Sequence, residues 1–204
     1  MKIIKTGQEA RNALKKGIDF TVDCIKVTLG QAGKNAVLGR VDIPPVITND
    51  GVSIARNIEL EDEIENQGVW IVKEACSVAS GKAGDGTTTT AVLLQAIVSD
   101  VFEKLKDDGS LISKKINVIN LQKEIDTACE MVVKELTKKA RPISENEIYN
   151  VAIVAGEFKW LAEMVTEIFK KIGKDGYVTI DDGVKTSYET FKGIELDTGY
   201  HSEY

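Results

Sequence analysis

Along the first thirty residues, apolar side chains recur at three- and four-residue intervals: Ala10, Ala13, Leu14, Gly17, Ile18, Val22, Ile25 and Leu29. That stripe predicts an amphipathic helix over residues 8–29 with one buried face, and Gly30 stands where a helix would end. The period then changes. Asn35-Ala36-Val37-Leu38-Gly39 and Val46-Ile47-Thr48 are short apolar runs on either side of Pro44-Pro45, which predicts a β-hairpin turned at the prolines. Three longer segments return to the helical period, at 64–79, 87–106 and 116–138, each with a charged outer face. The first two-thirds of the chain therefore reads as mainly α around a small β element.

Ala140-Arg141-Pro142-Ile143-Ser144 interrupts that pattern, because the residue before a proline is biased away from helix. We place a domain boundary there. Beyond it the spacing predicts a helix over 160–172, a Gly173-Lys174-Asp175-Gly176 turn, and strands at 177–180 and 188–191, so this region reads as α+β. Ile194-Glu195-Leu196-Asp197-Thr198-Gly199-Tyr200 looks like the start of a further unit, with four residues following it.

Composition narrows the function classes. A chain of 204 residues accommodates one or two domains, and 43% hydrophobic with 28% charged residues is the balance of a soluble globular protein. No run approaches the ~18–20 apolar residues of a membrane span, and Met1-Lys2-Ile3-Ile4-Lys5-Thr6 has no signal-peptide core; a cytoplasmic location is expected. Cys24, Cys76 and Cys129 form no Cys-x-x-Cys pair, so neither a disulfide framework nor a zinc site is indicated, and three buried thiols are expected. With His201 as the single histidine, a nucleophile relay needing an imidazole base is improbable. The formal net charge of −6, with basic residues interleaved among acids, argues against nucleic acid as a partner.

Gly84-Asp85-Gly86-Thr87-Thr88-Thr89-Thr90 precedes a strongly apolar helical segment. A helix N-terminus presents free N–H groups and partial positive charge, and glycines let backbone approach a ligand closely, which suits phosphate. Threonine hydroxyls add donors, and Asp85 is the type of ligand that holds Mg²⁺ together with phosphate oxygens. The other reading of these residues is that Asp85 or Thr87 simply caps a helix. The pattern is not a Walker A loop, since Gly33-Lys34-Asn35, Gly81-Lys82-Ala83 and Gly173-Lys174-Asp175 all lack the Ser or Thr after Lys. A Rossmann fingerprint is likewise missing. Thr28-Leu29-Gly30-Gln31-Ala32-Gly33-Lys34-Asn35 puts a glycine turn at a helix C-terminus, and Thr48-Asn49-Asp50-Gly51-Val52 puts an aspartate at a strand-to-helix turn. Taken singly, a glycine C-cap and an aspartate N-cap account for them.

In order along the chain, these segments resemble the group I, GroEL-like chaperonins. Ile58-Glu59-Leu60-Glu61-Asp62, Glu65-Asn66 with Gly68, and Gly173 through Gly183 add to the match, which covers nearly the whole chain. The resemblance implies a mainly α equatorial domain with a small β-hairpin over residues 1–138. An α+β intermediate segment would follow at 139–190, then the start of an apical domain at 191–204. It implies an ATPase subunit of a homo-oligomeric ring that encloses non-native polypeptide clients under a co-chaperonin lid. Residue by residue, it implies that Asp85 coordinates Mg²⁺ and that Gly86, Thr87, Thr88 and Thr89 contact the phosphates of ATP. Thr28, Leu29 and Gly30 would line the nucleotide from the other side, and Asp50 would act in hydrolysis. The acidic run at 59–65 is read instead as a helix start, where carboxylates favour the positive end of the macrodipole.

The sequence departs from the family at Gln31, where proline is usual, at Asn49, where many members have lysine, at 151–156, and at Thr198. By the same resemblance, a second catalytic aspartate and the adenine- and ribose-binding residues belong to later segments outside these 204 residues. A non-catalytic module that keeps the chaperonin fold and assembles with full-length subunits is the alternative.

Overall fold

The computed structural model describes residues 3–30, 32–40, 43–105, 116–156, 158–173, 176–193 and 199. The chain divides into two compact units, Met1–Met131 and Val132–Tyr204. In order, the first contains α1 (Gly7–Ile25), a 3₁₀ turn (Lys26–Thr28), β1 (Ala36–Arg40), β2 (Ile43–Thr48), α2 (Gly51–Arg56), α3 (Glu63–Ala83) and α4 (Thr87–Leu105). The division falls inside α5 (Val118–Lys139). The described chain is thus mainly helical with one two-stranded antiparallel sheet.

The stripe on α1 does what its spacing implies: Ala13, Ile18, Val22 and Ile25 are buried. The helix stops at Ile25, tightens into the 3₁₀ turn and reaches Gly30 at φ 72°, a left-handed conformation natural to glycine. The acidic run is a helix start. Asp62 caps α3, accepting from the amides of Ile64 and Glu65 at 2.8 and 2.9 Å, with the Lys5 ammonium 3.0 Å away. The Glu65 amide and the Lys5 contact pull the Asp62 carboxyl down to about 2. At its other end α3 runs past the expected residue 79 to Ala83, where Gly84 at φ 70° turns the chain and donates to the Ser80 carbonyl at 2.8 Å.

Helices α1 and α3 approach so closely that their backbones touch. A Cβ added at Gly17 would lie 1.9 Å from the Glu65 carbonyl oxygen, and one at Gly68 would lie 2.2 Å from that of Leu14. Around this crossing the core gathers Ile18, Val22 and Ile25 of α1, Val52, Ile54 and Ala55 of α2, Val72 and Cys76 of α3, and Ala91 of α4. The outer faces keep apolar side chains in view, with Trp70, Ile71 and Val78 on α3 and Leu93 and Ile97 on α4 all exposed.

Two expectations need correcting in this unit and in α5. The hairpin does not turn at the prolines: Pro44 and Pro45 lie inside β2. Proline within a sheet is confined to edge strands and bulges, and β2 offers both, an unpaired edge and an irregular register. The register also slips, pairing Leu38 with Val46 but Arg40 with Ile43, so that β2 carries one extra residue where the prolines sit. The three thiols are not all buried either. Cys76 is buried, Cys24 half-buried and Cys129 exposed; Cys129 lies on α5, none of whose residues is buried.

The second unit pairs α6 (Ile148–Gly156) with α7 (Lys159–Ile172), burying Ala162 and Thr166 of α7. The β-branched Val151, Ile153 and Val154 hid α6 from the periodicity. Ahead of it, the Glu147 carboxylate accepts from the Arg141 guanidinium at 2.7 and 3.2 Å and from the Ser144 amide at 2.9 Å. Those contacts, Arg141 first, pull Glu147 down to about 2 and fix the chain just after Pro142. Residues 177–180 and 188–191 form no strand, contrary to expectation. Tyr177, Ile180 and Phe191 are strongly exposed, and a β-prone run becomes a strand only with a partner and a face to pack. Lys174 and Asp175 of the expected turn, and 194–198 and 200–204 of the expected apical start, lie outside the described residues.

Replacing Gly17 by alanine removes a glycine from mid-helix, which on helix propensity alone stabilises by ~1 kcal/mol. The contact with Glu65 reverses that sign. Urea unfolding of Gly17→Ala is expected to show a net loss of roughly 1–3 kcal/mol; an unchanged or raised midpoint would remove the crossing as the organising contact.

Candidate functional site

Three separate stretches of chain meet at the first turn of α4. The connection from α3 to α4 is three residues long, Gly84-Asp85-Gly86, with Gly84 and Gly86 at φ 70° and 79°. A side chain rarely adopts that backbone conformation, so the two glycines permit the short link. The first rung of the α4 ladder runs from the Thr90 amide to the Gly86 carbonyl at 2.9 Å, which leaves the amides of Thr87, Thr88 and Thr89 ahead of it. Asp85 is exposed, and its Oδ1 accepts from the Gly86 amide at 2.6 Å.

The second stretch is the loop leaving α1. Thr28 Oγ1 lies 3.0 Å from Thr88 Oγ1 and donates to the Ile25 carbonyl oxygen at 2.9 Å, which leaves it free to accept from the Thr88 hydroxyl. The loop is closed on itself by the Lys34 amide on the Val27 carbonyl at 2.7 Å and the Gly33 amide on the Gly30 carbonyl at 2.9 Å. Leu29 and Gly30 are exposed on its outer side. Gln31, where the family's proline would fall, lies outside the described residues.

The third stretch is the start of α2. Asp50 is its N-cap, accepting from the Val52 amide at 3.3 Å, the Ser53 amide at 2.9 Å and the Ser53 hydroxyl at 2.6 Å. Partial burial pushes the Asp50 carboxyl up, but the Ser53 and Val52 hydrogen bonds, helped by Arg56, outweigh it and hold the group below its ordinary value. Next to it, Gly51 is buried, and a Cβ there would lie 2.9 Å from Thr88 Oγ1 and 3.0 Å from Thr87 Oγ1. From the opposite side the buried Cys76 thiol donates to the Thr87 carbonyl at 3.6 Å. Burial, and then the negative charge of Asp50, push that thiol up, so it packs as a neutral group.

Of the residues singled out from sequence, Thr28, Thr87 and Thr88 are thus brought together, with Asp50 one residue from the contact. Asp85 and Gly86 form the adjoining turn, while Thr89 is exposed on α4. The sequence reading missed two neighbours. Gly51 was visible only as the residue after a capping aspartate. Cys76 sits in the 69, 72, 76 spacing of the buried face of α3, a signal of packing rather than of a site.

The family model described as the TCP-1/cpn60 chaperonin family matches residues 22–203. The chain belongs to that family. Among solved structures, it is similar to the chaperonin gp146 from the bacteriophage EL 2 (Pseudomonas aeruginosa), crystallised in the presence of ATP-BeFx. In crystal form I the TM-score is 0.67 at 24% identity, covering 81% of this chain and 28% of that one. Crystal form II gives 0.67 and 24%, covering 86% and 30%. The likeness establishes a chaperonin fold, and the chain spans less than a third of the length of gp146.

Because Asp50 caps α2, Asp50→Ala is expected to lower stability by ~1 kcal/mol at neutral pH. The sign with pH comes from the depressed carboxyl: its contribution is complete above the ordinary value of 3.8 and is lost as pH falls through the lower folded-state value. Denaturation of both proteins between pH 7 and 2 checks this. A gap between them that stayed constant with pH would contradict the cap.

Proposed function

We propose that Thr28, Leu29, Gly30, Asp50, Asp85, Gly86, Thr87, Thr88 and Thr89 form the phosphate and Mg²⁺ wall of an ATP site in a chaperonin subunit. The observation that carries this reading is the Thr28–Thr88 hydroxyl contact over the start of α2, which joins three sequence-distant motifs at one helix N-terminus. The residues suit the group. The α4 amides and threonine hydroxyls are donors for phosphate oxygens. Asp85 offers a carboxylate of the kind Mg²⁺ takes from protein when phosphates supply its other ligands. Bound Mg²⁺ would neutralise the charge that develops on the transferred phosphoryl group.

Asp50 is assigned the hydrolytic role, by orienting the attacking water rather than by taking its proton. Its depressed carboxyl stays ionised at neutral pH, which makes it a good acceptor and a weak base. A carboxylate offers about four acceptor positions, and the cap leaves room for one more partner.

In the whole protein we assign residues 1–138 to an equatorial domain, 139–190 to an intermediate domain and 191–204 to the start of an apical domain. The subtype is group I. The assembled protein would be a cytoplasmic homo-oligomeric ring that uses ATP to cycle around non-native polypeptide, with a co-chaperonin lid. The gp146 crystals formed in the presence of ATP-BeFx agree with a nucleotide-binding family member.

Calorimetric titration with Mg·ATP tests the site: Asp85→Ala is expected to lose at least about tenfold in affinity, as for removal of a charge-assisted contact. Equal affinity would end the assignment. Steady-state turnover by these 204 residues alone is expected to be negligible, and a robust rate would show that Asp50 suffices without the second carboxylate of the family pattern.

The exposed apolar side chains on α3, α4 and α5, Trp70, Leu93, Ile97 and Met131 among them, favour a second reading as an assembly module. Sedimentation with a full-length chaperonin is then expected to show co-migration independent of ATP. A chain that stays monomeric in the mixture excludes it.

A further inference from the structure

Gly51 is not at a positive φ, so its backbone does not require glycine. It is the first residue of α2, where alanine would be the better helix former. What requires glycine is the space beside it. An added Cβ would meet Thr88 Oγ1 at 2.9 Å, Thr87 Oγ1 at 3.0 Å and Ile25 Cγ2 at 3.1 Å. None of these atoms can yield cheaply. Threonine is stiff at χ1, Thr88 Oγ1 is held by Thr28 Oγ1 at 3.0 Å, Ile25 is fully buried, and Cys76 supports the Thr87 carbonyl from behind.

We propose that Gly51 is a positioning residue for the nucleotide site: the hydrogen in place of its side chain lets α2 seat against the first turn of α4 and sets where the Thr87 and Thr88 hydroxyls point. Gly51 touches no ligand in this role. It acts through the two threonines, and through Thr88 it holds the loop carrying Thr28. The inference rests on the ATP reading above for its functional consequence, whereas the displacement it implies does not depend on nucleotide.

The test uses the full chain and two measurements on Gly51→Ala. Without nucleotide, NMR is expected to show shifted methyl resonances for Thr28, Thr87 and Thr88 with a small fall in melting temperature, since the crowding outweighs the gain from alanine's helix preference. With Mg·ATP, calorimetry is expected to show affinity falling roughly five- to tenfold, about what loss of one hydrogen bond costs. The double variant Gly51→Ala with Thr88→Ser keeps the hydroxyl but drops the methyl that stiffens it, and should recover most of the affinity. Unmoved Thr28 and Thr88 resonances overturn the proposal whatever ATP does. So does a loss of affinity that is not recovered by the double variant. If the wild type fails to bind Mg·ATP while the resonances move as expected, the positioning role stands and the ATP reading is what fails.

Discussion

Backbone contact between α1 and α3 at Gly17 and Gly68 is the constraint on which the first unit depends. Most helix pairs are held apart at about 8–10 Å by their side chains, but here each glycine faces the other helix's carbonyl with no room for a methyl group. Close approach aligns the buried stripes, so that Val22 and Ile25 meet Val72 and Cys76 in one core. It also sets the separation of the two segments that leave these helices. The glycine link after α3 leads into the first turn of α4, and the 3₁₀ turn after α1 meets that turn through the Thr28–Thr88 hydroxyl contact, within reach because the two helices are so near.

The short helix α2 completes the arrangement from the other direction. Asp50 commits its carboxylate to capping, Gly51 leaves space for Thr87 and Thr88, and Val52, Ile54 and Ala55 enter the core. Local cap, close packing and hydrophobic burial thus fall within one short run of consecutive positions. That overlap explains why the motif around Asp50 reads ambiguously in sequence: the same residues satisfy a structural account and a chemical one.

How much was legible depended on the range of the interactions involved. The long helices were visible because burial of a stripe has a 3.6-residue signature, and the acidic run was legible as a helix start because the pull of a helix N-terminus on carboxylates is local. The hairpin was found, but its turn was misplaced, since proline's usual place in turns outweighed its tolerance at an unpaired strand edge. Helix α6 was missed because Val151, Ile153 and Val154 carry β-propensity, while the strands expected at 177–180 and 188–191 needed partners that propensity does not supply. At the site, the order of motifs pointed to Thr28, Asp50 and Thr87 through the family resemblance. The contact between Gly51 and the threonine hydroxyls could not be read that way, because the space beside a glycine belongs to the tertiary structure.

The prolines in β2 carry a consequence of their own. Val37, Val46 and Ile47 stand exposed on the hairpin, the profile of a strand pair that could recruit a neighbouring chain and stack into a fibril. A proline pair and an extra residue in the register break the regular spacing of donors that an incoming strand would need along β2. The hairpin can keep its apolar side chains at the surface because its backbone is a poor template for self-association.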